Sequence, residues 1–167
     1  MSTRLTPRHG ALFALVVLIL DQASKQWMAG LLLDLPWPQQ LLVLPPWFNL
    51  TVVWNRGVSF GLFASDSPWN AWLLAGVASG VAVMLAVWLV RADSPRLILA
   101  LGAVIGGAIG NVIDRLRWGA VFDFIDVSGL FFPWVFNVAD AAITLGVAVL
   151  VLDGLIGHKD AQSRPPN

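Results

Sequence analysis

Long apolar stretches alternate with short polar segments along the 167-residue chain. A helix needs about 20 predominantly apolar residues to cross a bilayer, and four of the stretches approach or reach that length. They cover residues 11–33, 69–90, 97–114 and 134–156. The pattern predicts an all-α membrane protein with four transmembrane helices, in which residues 1–167 form a single integral membrane domain.

The first apolar stretch also resembles the core of a secretory signal peptide. Basic residues precede an uninterrupted apolar run from Ala11 to Leu20, as they do in a signal peptide. Asp21, Lys25 and more apolar residues then follow where small residues would mark a cleavage site. We therefore expect this stretch to be retained as a helix.

The connection between the first two spans is long for a structureless loop. Four prolines punctuate its beginning, the segment Phe48–Trp54 is rich in aromatic and β-branched residues, and Asn55–Gly57 has turn chemistry. These features predict a small β-rich extracytoplasmic loop domain between helices 1 and 2, over residues 36–66. Tryptophans at the predicted outer boundaries favour the lipid–water interface, so we expect this domain to lie on the membrane.

Lysine and arginine residues indicate which side of the membrane each connection faces, because they are enriched on the cytoplasmic side. Four spans place both termini on the same side, where six basic residues lie, against three on the other. The first set is Arg4, Arg8, Arg91, Arg96, Lys159 and Arg164, and the second is Arg56, Arg115 and Arg117. Both termini are therefore predicted to be cytoplasmic.

Composition narrows the possible functions. Hydrophobic residues make up 57% of the chain and charged residues 12%, whereas a soluble domain has about 25% charged residues. The net charge is zero with no basic run, so we expect no nucleic-acid partner. Cysteine is absent, and His9 and His158 lie near opposite ends of the chain. We therefore expect no metal and no cofactor, and all ten acidic residues are aspartates, so acid–base chemistry must depend mainly on aspartate.

Polar residues cluster around the connection between the third and fourth spans. Asp114 lies roughly 26 Å along the third span from Leu97, and Asp140 about 9 Å into the fourth span from Trp134, which places both near the outer face. Such side chains are costly in a membrane and usually functional. The cluster consists of Asn111, Asp114, Arg115, Asp123, Asp126, Asn137 and Asp140, and Asn55 lies in the outer loop.

The aspartates of this cluster differ in how strongly they indicate chemistry. For Asp114, an ion pair with Arg115 is as plausible as catalysis, and Asp126 is better explained as a turn or solvated residue. Asp140 lies within an apolar span, which favours a functional role. Asp123 is equally compatible with both interpretations. Two carboxylates close together share a proton, so that one serves as base and the other as acid.

Asp21 and Lys25 are four residues apart on the first span, a favourable spacing for a helical ion pair. We interpret the two side chains as an ion pair whose charges neutralise each other inside the bundle, with the lysine snorkelling outward.

On the third span, Gly102, Gly106 and Gly110 recur every four residues. This spacing lets another helix approach closely.

Five segments of the chain resemble the lipoprotein signal peptidase family (signal peptidase II), the membrane aspartyl peptidases of bacteria. They occur in the family's order and spacing, and the resemblance covers residues 11–156. The segments are residues 21–25, 55–60, 106–115, 121–126 and 136–140.

This resemblance implies a function and a set of roles. The family cleaves diacylglyceryl-modified prolipoproteins just before the lipidated cysteine and thereby releases the signal peptide. It implies a catalytic dyad of Asp123 and Asp140. It also implies a bacterial inner-membrane protein whose active site lies near the outer face, with membrane lipid around it, and we expect a monomer. The residues implied to surround the substrate are Asn55, Gly57, Asn111, Arg115 and Asn137, and those implied to support the site are Asp21, Lys25 and Asp114.

The residues alone are also compatible with a function that is not enzymatic. A small transporter or assembly factor could bind an ion or a proton with the same aspartates and asparagines, since intramembrane acids often mark such pathways. The acids collect at one membrane face, however, and only Asp21 lies near mid-depth, about 15 Å along the helix from Ala11. This arrangement favours a peptidase site over a relay across the bilayer.

Overall fold

The computed structural model describes residues 5–57, 68–130 and 134–162, with the side chains of Pro68 and residues 156–162 left aside. Within this part of the chain, four helices are long and apolar enough to cross a membrane. The predicted four-span membrane architecture is therefore confirmed. The helices are α1 (Pro7–Leu32), α2 (Pro68–Val90), α3 (Pro95–Trp118) and α4 (Val138–Gln162). Residues 58–66 of the predicted outer loop lie outside the described residues.

The boundaries of the last two helices differ from those predicted by hydropathy. α3 begins after Ser94, whose side chain accepts a hydrogen bond from the Leu97 N–H, and ends at Gly119 in a left-handed conformation with φ 73°. α4 begins at Val138 instead of Trp134, because the apolar residues Val135 and Phe136 form a short strand. Hydropathy alone does not distinguish a short buried strand from the first turn of a helix.

α3 lies at the centre of the bundle and packs against each of the other three helices. About two-thirds of its membrane-spanning segment is buried (67%), compared with 28% or less for the others. Its glycines permit this packing, since a Cβ on Gly106 would meet the backbone of Ala14 in α1 and one on Gly107 would meet that of Ala139 in α4. The small residues thus bring α1 and α4 close to the polar end of α3.

A four-stranded antiparallel sheet covers one end of the bundle, in the order β1–β2–β3–β4. Two of its strands come from the predicted loop, but the other two come from the α3–α4 connection. The predicted β-structure between helices 1 and 2 is therefore present, but it is only half of a sheet that continues into the α3–α4 connection. The strands are β1 (Gln40–Leu44), β2 (Phe48–Asn55), β3 (Val121–Asp126) and β4 (Val135–Phe136).

The pairing of β2 with β3 determines what faces the bundle. Val53 lies opposite Asp123, and Asn55 opposite Val121. Phe122 and Phe124 of β3 are buried in a cluster with residues of α1 that includes Leu32. The sheet is thereby fixed over the helix ends, and Asp123 is held at the junction of sheet and bundle.

Candidate active site

Asp123 and Asp140 are joined through a single residue, Asn137. The Asn137 side-chain N–H donates to Asp123 Oδ1 at 2.6 Å. The backbone N–H of Asn137 donates to Asp140 Oδ2 at 3.3 Å, and the Asp140 N–H donates back to Asn137 Oδ1 at 2.9 Å. The two carboxyl groups therefore lie on either side of one asparagine, although 17 positions separate them in sequence.

The contacts between Asn137 and Asp140 form a helix cap. Asn137 directly precedes α4, and Asp140 is the third residue of that helix. Reciprocal bonds of this kind satisfy N–H groups that the first helical turn leaves unpaired. The local sequence thus fixes the Asp140 carboxyl at the beginning of α4, where the helix dipole favours negative charge.

Asp123 occupies a more enclosed position. It is only 1% exposed, and besides the bond from Asn137 it accepts one from the Asn55 side chain at 3.1 Å. Burial and, secondarily, the nearby charge of Asp140 raise the pKa of Asp123 to about 7. The protonated form of Asp123 is therefore well populated near neutral pH.

Lys25 lies beneath the aspartate pair, at the centre of a buried ion cluster. Its Nζ lies 2.9 Å from Asp21 Oδ2 and 2.7 Å from Asp114 Oδ2, and all three side chains are fully buried. Mutual neutralisation of Asp21 and Lys25 is confirmed, but the expectation that the lysine snorkels outward is wrong. A second carboxylate satisfies the ammonium inside the bundle, so its charge need not reach the interface.

Of the alternatives left open for Asp114, an ion pair with Arg115 is not found among the described residues, and the ion-pair partner of Asp114 is Lys25. Asp114 and Arg115 are adjacent on α3 and point in different directions. The remaining bond of Asp114 Oδ2 comes from the Phe122 N–H at 3.1 Å. Asp114 therefore ties the helix end to β3, directly beside Asp123.

Asp21 likewise ties α1 to the beginning of α4. Its Oδ1 accepts a 2.9 Å hydrogen bond from the Ala139 N–H, another free donor of the first helical turn. Through Asp114 the ion cluster thus contacts Phe122, the residue before Asp123. Through Asp21 it contacts Ala139, the residue before Asp140. It supports both carboxyl groups without touching either.

Asn111 connects the ion cluster to the aspartate pair. Its Oδ1 accepts from Lys25 Nζ at 3.1 Å, and its Nδ2 donates to Asp140 Oδ1 at 2.8 Å. The ammonium fixes the orientation of the amide, because a lysine can only donate. The amide N–H is consequently directed at the Asp140 carboxylate.

Arg115 closes the site on the side of the sheet. Its Nη2 donates to the Gly57 carbonyl at 2.6 Å, and its Nη1 donates to the Asn111 carbonyl at 3.4 Å. The Gly57 N–H in turn donates to Asn55 Oδ1 at 3.0 Å, which is the predicted turn. The structure therefore brings all ten residues proposed from the sequence into one hydrogen-bonded network.

Two other polar residues clarify the boundary of the site. Gln22 was not among the residues proposed from the sequence. Its Nε2 donates to Asp114 Oδ1 at 3.0 Å and to Asp21 Oδ2 at 3.1 Å. A polar residue beside Asp21 within an apolar span was the sequence feature that could have identified it. Asp126 accepts from the Ser128 N–H at 2.9 Å, as a turn residue does, although it is buried instead of solvated.

This arrangement can perform acid–base chemistry on a polar bond at the end of the helix bundle that the sheet covers. In the described part of the chain, the ion pairs within the site involve Lys25, whereas Asp123 and Asp140 are held by amide groups. A carboxyl pair held in this way can share one proton and act as base and acid. Such a pair can activate water.

The chain is similar to known membrane peptidases over almost its whole length. The signal peptidase (SPase) II family matches residues 13–156. A lipoprotein signal peptidase of Caulobacter vibrioides is 49% identical, covering 90% of this chain and 88% of that protein. A lipoprotein signal peptidase of Methylobacterium sp. strain 4-46 is 47% identical, covering 93% of this chain and 95% of that protein.

Two solved structures share the fold. A bacterial membrane enzyme determined by the in meso method superposes with a TM-score of 0.83 at 24% identity, covering 100% of this chain and 99% of that one. A second such enzyme gives a TM-score of 0.76 at 25% identity, covering 93% of this chain and 97% of that one.

Proposed function

This chain belongs to the signal peptidase (SPase) II family, and from that membership we propose that it removes the signal peptide from prolipoproteins. It is a peptidase and a multi-pass protein of the bacterial inner membrane. The proposed substrate carries a diacylglyceryl group on its lipobox cysteine, and the bond cleaved is the peptide bond just before that cysteine. Family membership favours this reaction over ion or proton transport.

The proposed catalytic dyad is Asp123 and Asp140, and the observation that carries it is their connection through Asn137. The two carboxyl groups come from different elements and are directed to one place. Lys25, in contrast, is fully engaged by Asp21 and Asp114, which supports a positioning role for those three residues.

We propose that Asp123 is the acid of the dyad and Asp140 its base. Asp140 is partly exposed, lies at the N-terminus of α4 and accepts a bond from Asn111, so its carboxyl group is accessible to water and held in one orientation. Asp123 is enclosed, and its raised pKa favours the protonated form.

The reaction then proceeds in two steps. Asp140 removes a proton from water as the water oxygen attacks the scissile carbonyl carbon, while the Asp123 carboxyl donates a hydrogen bond to the carbonyl oxygen. The tetrahedral intermediate collapses with breakage of the C–N bond, and a proton from the dyad passes to the leaving amine. Arg115 and the amides of Asn55 and Asn111 are proposed to orient the peptide backbone.

The membrane setting matches such a substrate. A signal peptide is an apolar helix, so it can reach the site laterally from the lipid. The excess of basic residues supports cytoplasmic termini, and with that orientation the end of the bundle that carries Asp123 would lie at the outer face. One chain supplies both carboxyl groups, so the proposal needs no second subunit.

Cleavage of a defined substrate tests this function. The purified protein in detergent would be given a diacylglyceryl-modified prolipoprotein and the same prolipoprotein without the lipid, both in the presence of a chelator. We expect cleavage of the lipidated substrate alone, with mass spectrometry showing the lipidated cysteine as the new N-terminus. Cleavage at another bond, or equal cleavage of both substrates, would contradict the proposed specificity.

A further inference from the structure

A groove of about 510 Å³ runs along the surface of the bundle between α1 and α4, over α3. Its volume lies within the range of about 300–1,000 Å³ that is typical of ligand sites. Eleven of its twelve lining residues are apolar or glycine, and the twelfth is Arg96. None of the twelve belongs to the hydrogen-bonded network around Asp123.

The groove extends from one end of the bundle toward its middle. Arg96 lies in the first turn of α3, at the end opposite the sheet. On α4 the groove runs from Val149 to Val138, a distance of about 16 Å by helical rise. This is about half of the ~30 Å hydrocarbon thickness of a bilayer, so its length matches the hydrocarbon region of one leaflet.

The charge at the end of the groove indicates what kind of molecule fits. Arg96 is exposed, and its stem borders an almost wholly apolar wall, so the guanidinium extends toward the interface. Asp93 and Asp153 lie near the same end, but among the described residues neither forms an ion pair with Arg96. The guanidinium is therefore available to an anion at the level of the lipid headgroups.

We propose that this groove binds a phospholipid, with the phosphate at Arg96 and one acyl chain along the apolar wall. A signal-peptide helix is the other apolar molecule of suitable size. Its basic N-terminal region would lie beside Arg96 and be repelled, whereas a phosphate would be attracted. With both termini cytoplasmic, the Arg96 end of the groove faces the inner leaflet, and the groove ends at Val138, next to the capping residue Asn137.

Photocrosslinking with a defined lipid tests this site. The full chain would be reconstituted in phosphatidylethanolamine–phosphatidylglycerol vesicles containing phosphatidylglycerol with a diazirine in one acyl chain. After illumination, peptide mass spectrometry should locate the crosslinks at the groove residues of α1 and α4. We expect Arg96→Gln to lower the crosslinking yield there about fivefold, the effect of one basic residue near a lipid surface. Arg91→Gln, in the same turn but outside the groove, is the matched control and should leave the yield unchanged.

A second pair of variants tests the chain-binding part of the groove. Ala142→Leu adds bulk to the wall and should lower the yield, whereas Ala86→Leu on the exposed face of α2 should not. Thermal unfolding in detergent verifies that each variant is folded. Crosslinks spread evenly over α2 and the groove, or yields unaffected by both Arg96→Gln and Ala142→Leu, would overturn the proposal. So would a photoreactive signal peptide that crosslinks to the groove and displaces the lipid.

Discussion

The side-chain N–H of Asn137 donates to Asp123 Oδ1 at 2.6 Å, while its side-chain oxygen and its backbone N–H cap the helix that carries Asp140. One asparagine thus sets the position of both carboxyl groups. It is fully buried, so its bonds are protected from competition by water. The geometry of the proposed dyad therefore depends on a residue that performs no proton transfer itself.

Replacement of Asn137 by alanine should impair both stability and cleavage. Loss of a helix cap costs about 1 kcal/mol, and loss of the amide bond leaves Asp123 with Asn55 as its remaining amide partner. We expect kcat to fall by about 100-fold, the typical loss for a displaced acid–base group. Thermal unfolding and steady-state cleavage would measure the two effects, and unchanged kcat in a folded Asn137→Ala protein would show that the cap does not position the dyad.

Cleavage should decline as the pH rises above about 7. The proposed mechanism requires a protonated Asp123, whose pKa burial raises from 3.8 to about 7. Once that proton is lost, kcat should fall tenfold per pH unit, since an unproductive ionisation state then dominates. A pH profile of kcat in detergent measures this, and a rate that keeps rising between pH 7 and 9 would contradict the assignment.

The same ionisation should affect the free energy of unfolding. Because the folded-state pKa of Asp123 is higher than the unfolded value of 3.8, the stabilisation is fully present below that value and is lost as the pH rises through about 7. We expect Asp123→Asn to flatten the dependence of the free energy of unfolding on pH between about 4 and 7. Asp126→Asn, on the same strand, should retain it, and equal pH dependence in both variants would exclude Asp123 as its source.

Replacement of Lys25 by methionine should strongly destabilise the bundle. It removes the cation shared by Asp21 and Asp114, and an uncompensated buried charge costs about 3–5 kcal/mol. Adding Asp114→Asn to Lys25→Met should recover part of that loss, since one stranded carboxylate is removed. Denaturation of the single and double variants in detergent measures the coupling, and additive losses would contradict a shared ion cluster.

Alanine at Gly106 should separate α1 from α3. The new Cβ would collide with the Ala14 backbone, whereas a Cβ at Gly80 would meet nothing within 4 Å. Overpacking of this kind costs about 1–3 kcal/mol. We expect a lower unfolding temperature for Gly106→Ala and no decrease for Gly80→Ala. Equal effects would mean that helix propensity, and not helix contact, determines the outcome.

The four spans and the position of the polar cluster near one end of the bundle could be predicted because both depend on local composition. Hydropathy identifies α1 to α4, and helical rise places Asp114 and Asp140 near one end. The sheet could be predicted only in part, since β2 has a strong strand composition but its pairing with β3 joins segments about 70 positions apart. Such pairing depends on tertiary packing, which periodicity along the chain does not report.

The burial of Lys25 could not be predicted for a related reason. Its spacing from Asp21 predicts a local pair correctly, but one carboxylate is a weak reason to keep an ammonium inside a membrane. The second carboxylate, Asp114, comes from a different helix. Only the close approach of α1 to α3 brings it within 2.7 Å, and that approach is a property of the packed bundle.

The proposed pairing of Asp123 and Asp140 in catalysis can be measured by single-turnover cleavage of a diacylglyceryl-modified prolipoprotein by Asp123→Asn and Asp140→Asn, with Asp126→Asn as the control. We expect the first two variants to remain folded and to bind substrate without cleaving it, while the control cleaves at a rate close to that of the unaltered protein. Cleavage by either dyad variant at an undiminished rate would show that the two aspartates are not the catalytic pair.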